Sequence, residues 1–198
     1  MKKVKESSLY PIVEKWLRKY HLCFKTESNK GLKYSRCDVI GVKDVGGDLS
    51  GEVETIIVEV KKGSQPFATA SGQALGYKVY ANKVYLADHR EKPFSDDEIA
   101  IASHLGIGLV QIQSEVCKEV LSSPYYKPIP KLNLLLLENL ALGKCQLCDS
   151  FFELGENLSS LSREDLKNAI NDKKGLIFWS REVAERKNKV GIRKTENT

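Results

Sequence analysis

Thr55-Ile-Ile-Val-Glu-Val-Lys-Lys-Gly63 places a carboxylate and an amine on one face of what otherwise reads as a deeply buried strand. At period two, Ile56, Val58 and Val60 share one side, leaving Thr55, Ile57, Glu59 and Lys61 on the other. A strand this apolar is normally covered on both faces, and charges carried there are costly unless they are paired or hold a metal. Two readings fit. In one, Glu59 is an oxygen ligand for a hard divalent cation, and Lys61 acts beside it on a water or a phosphoryl oxygen. In the other, the segment is an edge strand whose Glu and Lys face water.

Working outward, Asp44 to Glu52 is a glycine-rich turn that leads back to a preceding strand, Arg36 to Lys43. An Asp inside a β-branched run is disfavoured, so Asp38 is either a strand-end residue or a functional one. The hairpin makes Asp38 and Glu59 neighbours, and a shared cation becomes geometrically possible. Before it, Leu9, Ile12, Val13, Trp16, Leu17 and Tyr20 recur at helical spacing and predict a helix from Ser7 to Tyr20. Its stripe runs back through Val13 and Tyr10 to Glu6, a carboxylate that the helix dipole alone also favours. His21 to Glu27 reads as a strand. After Gly63 the pattern predicts a helix over Thr69 to Ala81, with Gln73 and Tyr77 on one face. A strand over Lys83 to Ala87 follows, then a helix opened by the Ser95-Asp-Asp-Glu98 capping box, and Gly106 to Gln113 as the closing strand. This order predicts an α/β fold with a mixed central sheet and helices on its faces.

These residues together carry a resemblance. Asp38, followed by Glu59-Val-Lys61 at the end of the next hydrophobic strand, resembles the paired motif of the PD-(D/E)xK nuclease superfamily, on its RecB-like, Mrr-like and Holliday-junction-resolvase side. Glu6 resembles the acidic residue many members carry on the opening helix, and Gln73-Ala-Leu-Gly-Tyr77 the Gln-x-x-x-Tyr of the RecB-like and Mrr-like branches. Cys37 stands where the name-giving pattern has Pro. The resemblance spans roughly residues 4 to 115 and implies a restriction-endonuclease-like fold and a Mg²⁺-dependent DNA endonuclease, with Mn²⁺ able to substitute. It implies Asp38, Glu59, the Val60 carbonyl and Glu6 as metal ligands, Lys61 on the attacking water or the developing charge, and Gln73 and Tyr77 as positioning groups. A catalytically silent DNA-binding or assembly protein of the same fold is the main alternative, and a nuclease acting on RNA or branched DNA the next.

Composition sets the frame. The chain has 198 residues, 41% of them hydrophobic, enough for one good-sized domain with a small appendage. No apolar run approaches the roughly 20 residues needed to cross a bilayer, so no membrane partner is expected. The opening Met1 to Glu6 is basic but lacks the apolar segment of a signal peptide, and five cysteines form no disulfide framework; both lead to the expectation of a cytoplasmic protein. A net charge of +5 is a mild bias toward polyanions.

The expected organisation is a nuclease-like domain over 1–121, a proline-rich linker over 122–131, and a small, mainly helical appendage over 132–198 for DNA binding or dimerisation. Leu132 to Leu142 is strongly apolar and reads as a helix that needs covering, which with the geometry of duplex cleavage predicts a homodimer. Cys145 and Cys148 have the spacing of half a zinc knuckle, but no Cys or His follows them. Zinc is not expected, and a complete site would have to borrow Cys117, His104 or a second subunit.

Overall fold

A computed structural model describes residues 5–32, 35–45, 53–63 and 65–140, and beyond them the strands at 142–145, 151–153 and 178–179. It divides into two compact units, Met1–Asp44 with Glu54–Asn133, and Val45–Val53 with Leu134–Thr198.

The first unit is an α/β fold. In chain order its elements are α1 (Tyr10–Tyr20), β1 (Cys23–Gly31), β2 (Arg36–Asp44), β3 (Val53–Lys61), α2 (Phe67–Gly76), β4 (Lys83–His89), α3 (Asp96–Leu105), β5 (Gly108–Gln113) and β6 (Val116–Leu121), with α4 (Pro130–Asn139) beginning in it. The six strands lie in sequential order. β1 runs antiparallel to β2, β3, β4 and β5 are mutually parallel, and β6 returns antiparallel to β5. The sheet is therefore mixed, as the alternation of strands and helices predicts.

β3 sits at the centre and is buried from Glu54 to Lys61. That excludes the edge-strand reading. Ile56, Val58 and Val60 join Leu9, Val13, Trp16 and Leu17 of the opening helix segment in one core cluster. Burying each such side chain stabilises the fold by about 1.5–3 kcal/mol, and this fixes α1 across that face. The opposite face meets α2, whose Phe67 and Ala70 share a pocket wall with Leu86.

The predicted elements hold with local changes. The first helix starts at Tyr10, preceded by a separate 3-10 turn over Glu6–Ser8, because Pro11 fills the first turn where its missing N–H is least costly. The helix after β3 ends at Gly76, and Tyr77–Val79 tighten into a 3-10 turn. The capping box forms as read: Ser95 and Glu98 exchange side-chain and backbone bonds, and Gly106 closes α3 in the left-handed conformation at φ 66°.

Three expectations need correcting. Gly108–Gln113 does not close the domain, since Ser114 turns the chain at φ 55° into β6. The proline-rich stretch is no free linker: Ser123 Oγ accepts from Val84 N–H at 3.0 Å, Tyr126 N–H donates to Asn82 O at 2.7 Å, and Ile129 N–H to Val79 O at 3.0 Å. Finally, the apolar run is helical only to Asn139.

In the second unit, the described residues that follow α4 are strands rather than helices. β7 (Leu142–Cys145) pairs antiparallel with both β8 (Phe151–Glu153) and β9 (Phe178–Trp179). Leu136, Leu137 and Leu140 are buried within the single chain, so these three side chains need no second copy to cover them. Cys148 and most of the appendage expected to be helical lie outside the described residues. No helix among the described residues is long and apolar enough to cross a membrane.

Candidate active site

Glu59 and Lys61 point away from the α1 core because they occupy the alternate positions of β3. Their side chains are 4% and 7% exposed, and Lys61 Nζ donates to Glu59 Oε1 at 2.5 Å. The buried charges are thus paired, as burial demands. The second oxygen of Glu59 lies 2.7 Å from the Tyr77 hydroxyl, which is also 2.8 Å from the Arg36 carbonyl. A hydroxyl has one proton and serves one of these acceptors at a time. Burial raises the Glu59 carboxyl above its ordinary value, against the opposing bonds from Lys61 and Tyr77, and nearby Asp38 raises it further. Once protonated, Glu59 can donate to Tyr77 Oη while Tyr77 donates to Arg36 O, so every partner is satisfied.

Asp38 stands on β2, the strand beside β3. Its Oδ2 accepts from Val60 N–H at 2.8 Å, a donor that a strand normally spends on a backbone carbonyl. Its Oδ1 accepts from the Tyr10 hydroxyl at 2.8 Å. In a β-strand the N–H and C=O of one residue point the same way, so the Val60 carbonyl also faces the Asp38 side of β3.

Tyr10 is the residue that sequence reasoning missed. It lies on the helical stripe that leads back to Glu6, and that alignment was its one signal. Burial and the Asp38 bond raise its hydroxyl pKa, with further contributions from the charges of Glu6 and Glu59. Glu6 itself is half-buried in the 3-10 turn.

A cleft of about 600 Å³ opens over these groups and is lined by Arg36, Asp38, Glu59, Lys61, Gln73 and Tyr77, with an apolar wall at Val79 and Tyr80. Gln73 is exposed on it, and Tyr77 buried. The residues expected to share a face of one helix therefore do reach one cavity, although Tyr77 lies just past the helix end. Cys37 is fully buried, and burial pushes its thiol up to about 12, which leaves it unreactive beside Asp38. Cys117, a conceivable zinc lender, is also buried in the core under α1 with its thiol raised to about 12.

The donors fit a hard cation. Two carboxylates and a backbone carbonyl are oxygen ligands of the kind Mg²⁺ takes, and Mg²⁺ completes its shell with water. Among the described residues no group of three or more His, Cys, Asp or Glu side chains gathers for a metal, so Glu6 does not stand with Asp38 and Glu59 as a third ligand here.

No protein-family model matches this chain, and no curated protein matches it. Among solved structures it is similar to a protein of unknown function from Silicibacter pomeroyi, with 18% sequence identity and a TM-score of 0.51 over 70% of this chain and 86% of that one. At that identity the likeness bears on the fold alone.

Proposed function

We propose that this chain is a Mg²⁺-dependent endonuclease that hydrolyses DNA phosphodiester bonds. The observation that supports this reading most is the convergence of Asp38 from β2 with Glu59 and Lys61 from β3 in one polar cleft. Asp38, Glu59 and the Val60 carbonyl would hold the ion, which when bound would stabilise negative charge on the phosphoryl oxygens and favour a nucleophilic water.

The chain's own residues supply the rest. Lys61 brings its amine to the cleft, where it can neutralise the phosphoryl oxygen as charge develops or orient the attacking water. Tyr77 holds the second oxygen of Glu59, and Tyr10 one oxygen of Asp38, so both carboxylates are oriented before substrate arrives. Gln73, exposed on the cleft wall, is placed to contact a substrate phosphate. Two chains related by a two-fold axis would let one site act on each strand of a duplex.

The test is to incubate the purified chain with linear, supercoiled, single-stranded and branched DNA, and with RNA, with and without Mg²⁺ or Mn²⁺. Cleavage of DNA that needs the cation supports the reading. Cleavage of RNA alone moves the substrate class, and binding without cleavage of any substrate contradicts the enzymatic reading.

A further inference from the structure

A second pocket, of about 390 Å³, opens on the other side of Lys61. It lies at the C-terminal ends of two parallel strands, where Lys61 of β3 is in register with Asp88 of β4. That edge is where open α/β sheets bind their ligands. Its positive groups are Lys61, Lys62, Arg90 and Lys92. Asp88, Glu91 and Glu98 oppose them, but two of these acids are engaged within the wall. Asp88 Oδ1 accepts from Gly63 N–H at 2.6 Å. Glu98 takes Arg90 Nη1 at 2.9 Å on one oxygen and Ser95 N–H at 2.8 Å on the other. Arg90 is further fixed over the Phe94 ring at 4.5 Å.

Arg90 also lies 3.9 Å from Asp88 Oδ2, so it serves both of these acids, and with Lys61 paired to Glu59 the other two lysines of the pocket are the cations left without an acid. Lys62 and Lys92 make no ion pair among the described residues, while Glu91 at the rim contributes one opposing charge. α2 begins at Phe67 on the same wall, and its first-turn amides receive no side-chain cap from Pro66, which adds a partial positive charge.

We propose that this pocket is a phosphate subsite, which holds the backbone phosphate adjacent to the one at Glu59 and Lys61 in a bound nucleic-acid strand. Lys61 lines both cavities, so a nucleic-acid strand that passes Lys61 meets both of them. The identity of the second phosphate's neighbour rests on the nuclease reading; the anion subsite itself does not.

The probe is a fluorescently labelled DNA 12-mer, with anisotropy followed against KCl in EDTA so that no cleavage occurs. The full chain is compared with Lys62→Ala/Lys92→Ala, with Glu91→Gln, and with Lys118→Ala on β6 as a control, each checked for an unchanged melting temperature. Losing one phosphate contact should lower the slope of log affinity against log salt by about 0.7–0.9 in the double variant. Glu91→Gln should tighten binding, and Lys118→Ala should change nothing. An unchanged slope and affinity in the folded double variant would overturn the subsite. Inorganic phosphate that stabilises the wild type but not the double variant, while both bind the 12-mer alike, would keep an anion subsite and overturn its place on a nucleic-acid strand. A changed slope without Mg²⁺-dependent cleavage by the wild type would keep the subsite and remove the nuclease reading; cleavage with an unchanged slope would do the reverse.

Discussion

The hydroxyl of Tyr10 donates to Asp38 Oδ1 at 2.8 Å, tying the opening helix to a carboxylate on the second strand. Because the other oxygen of Asp38 is held by Val60 N–H, the carboxylate is clamped from two sides. Removing a group that orients a metal ligand commonly costs about 10–100-fold in metal affinity or activity. Tyr10→Phe should therefore weaken Mn²⁺ binding at least tenfold, by calorimetric titration, with little change in melting temperature. Wild-type affinity in that variant would remove Tyr10 from the site.

How much of this was legible in the sequence depends on what each residue costs. Glu59 and Lys61 stood out because charges in a buried strand need a reason, and Asp38 because it interrupts a β-branched run. The capping box at Ser95 and the glycine after α3 were legible because their bonds are local. Tyr10 was not, since an aromatic residue on an apolar stripe reads as core until its hydroxyl finds a partner from another element. β6 escaped because Lys118 and Glu119 break its apolar alternation, as an exposed edge strand allows. The proline-rich segment reads as a spacer by composition, and only its long-range bonds to Asn82, Val79 and Val84 show it strapped down.

The buried pair makes a prediction about stability. Lys61→Met leaves Glu59 buried without its counterion and should cost about 3–5 kcal/mol at neutral pH, whereas Glu59→Gln combined with Lys61→Met should be neutral or stabilising by about 1–4 kcal/mol. The sign with pH follows from the raised carboxyl. A folded value above the ordinary 4.5 means its contribution is present below that pH and is lost as pH rises, so the Lys61→Met penalty should shrink in acid. Urea melts at pH 7.5 and 5 measure both effects. A double variant less stable than Lys61→Met alone would contradict them.

His21 makes a second, independent pH prediction. Its ring packs edge-on against Trp16 at 4.6 Å and Tyr85 at 5.5 Å. Burial lowers its pKa from the ordinary 6.5, although Glu119, 3.6 Å away, and Glu54 oppose the shift, while Lys83 and Lys43 reinforce it. A depressed folded value gives stability that is present above 6.5 and lost as pH falls, because the unfolded chain takes the proton first. Between pH 7.5 and 5.5 the wild type should lose more stability than His21→Phe in denaturant titrations. Parallel losses in the two proteins would show that another group carries the slope.

Lys61 tests the central claim most directly, because in the proposed reaction it alone of the paired charges would act at the reacting phosphate without holding the metal. The measurement is the Mg²⁺-dependent DNA cleavage rate of Lys61→Ala beside the wild type under single-turnover conditions, with folding confirmed by circular dichroism and DNA binding by anisotropy. A loss of about 10²–10³-fold in rate with DNA binding largely retained is the predicted result, the size expected for one electrostatic stabiliser of the transition state. Cleavage at the wild-type rate in a folded Lys61→Ala would contradict the account.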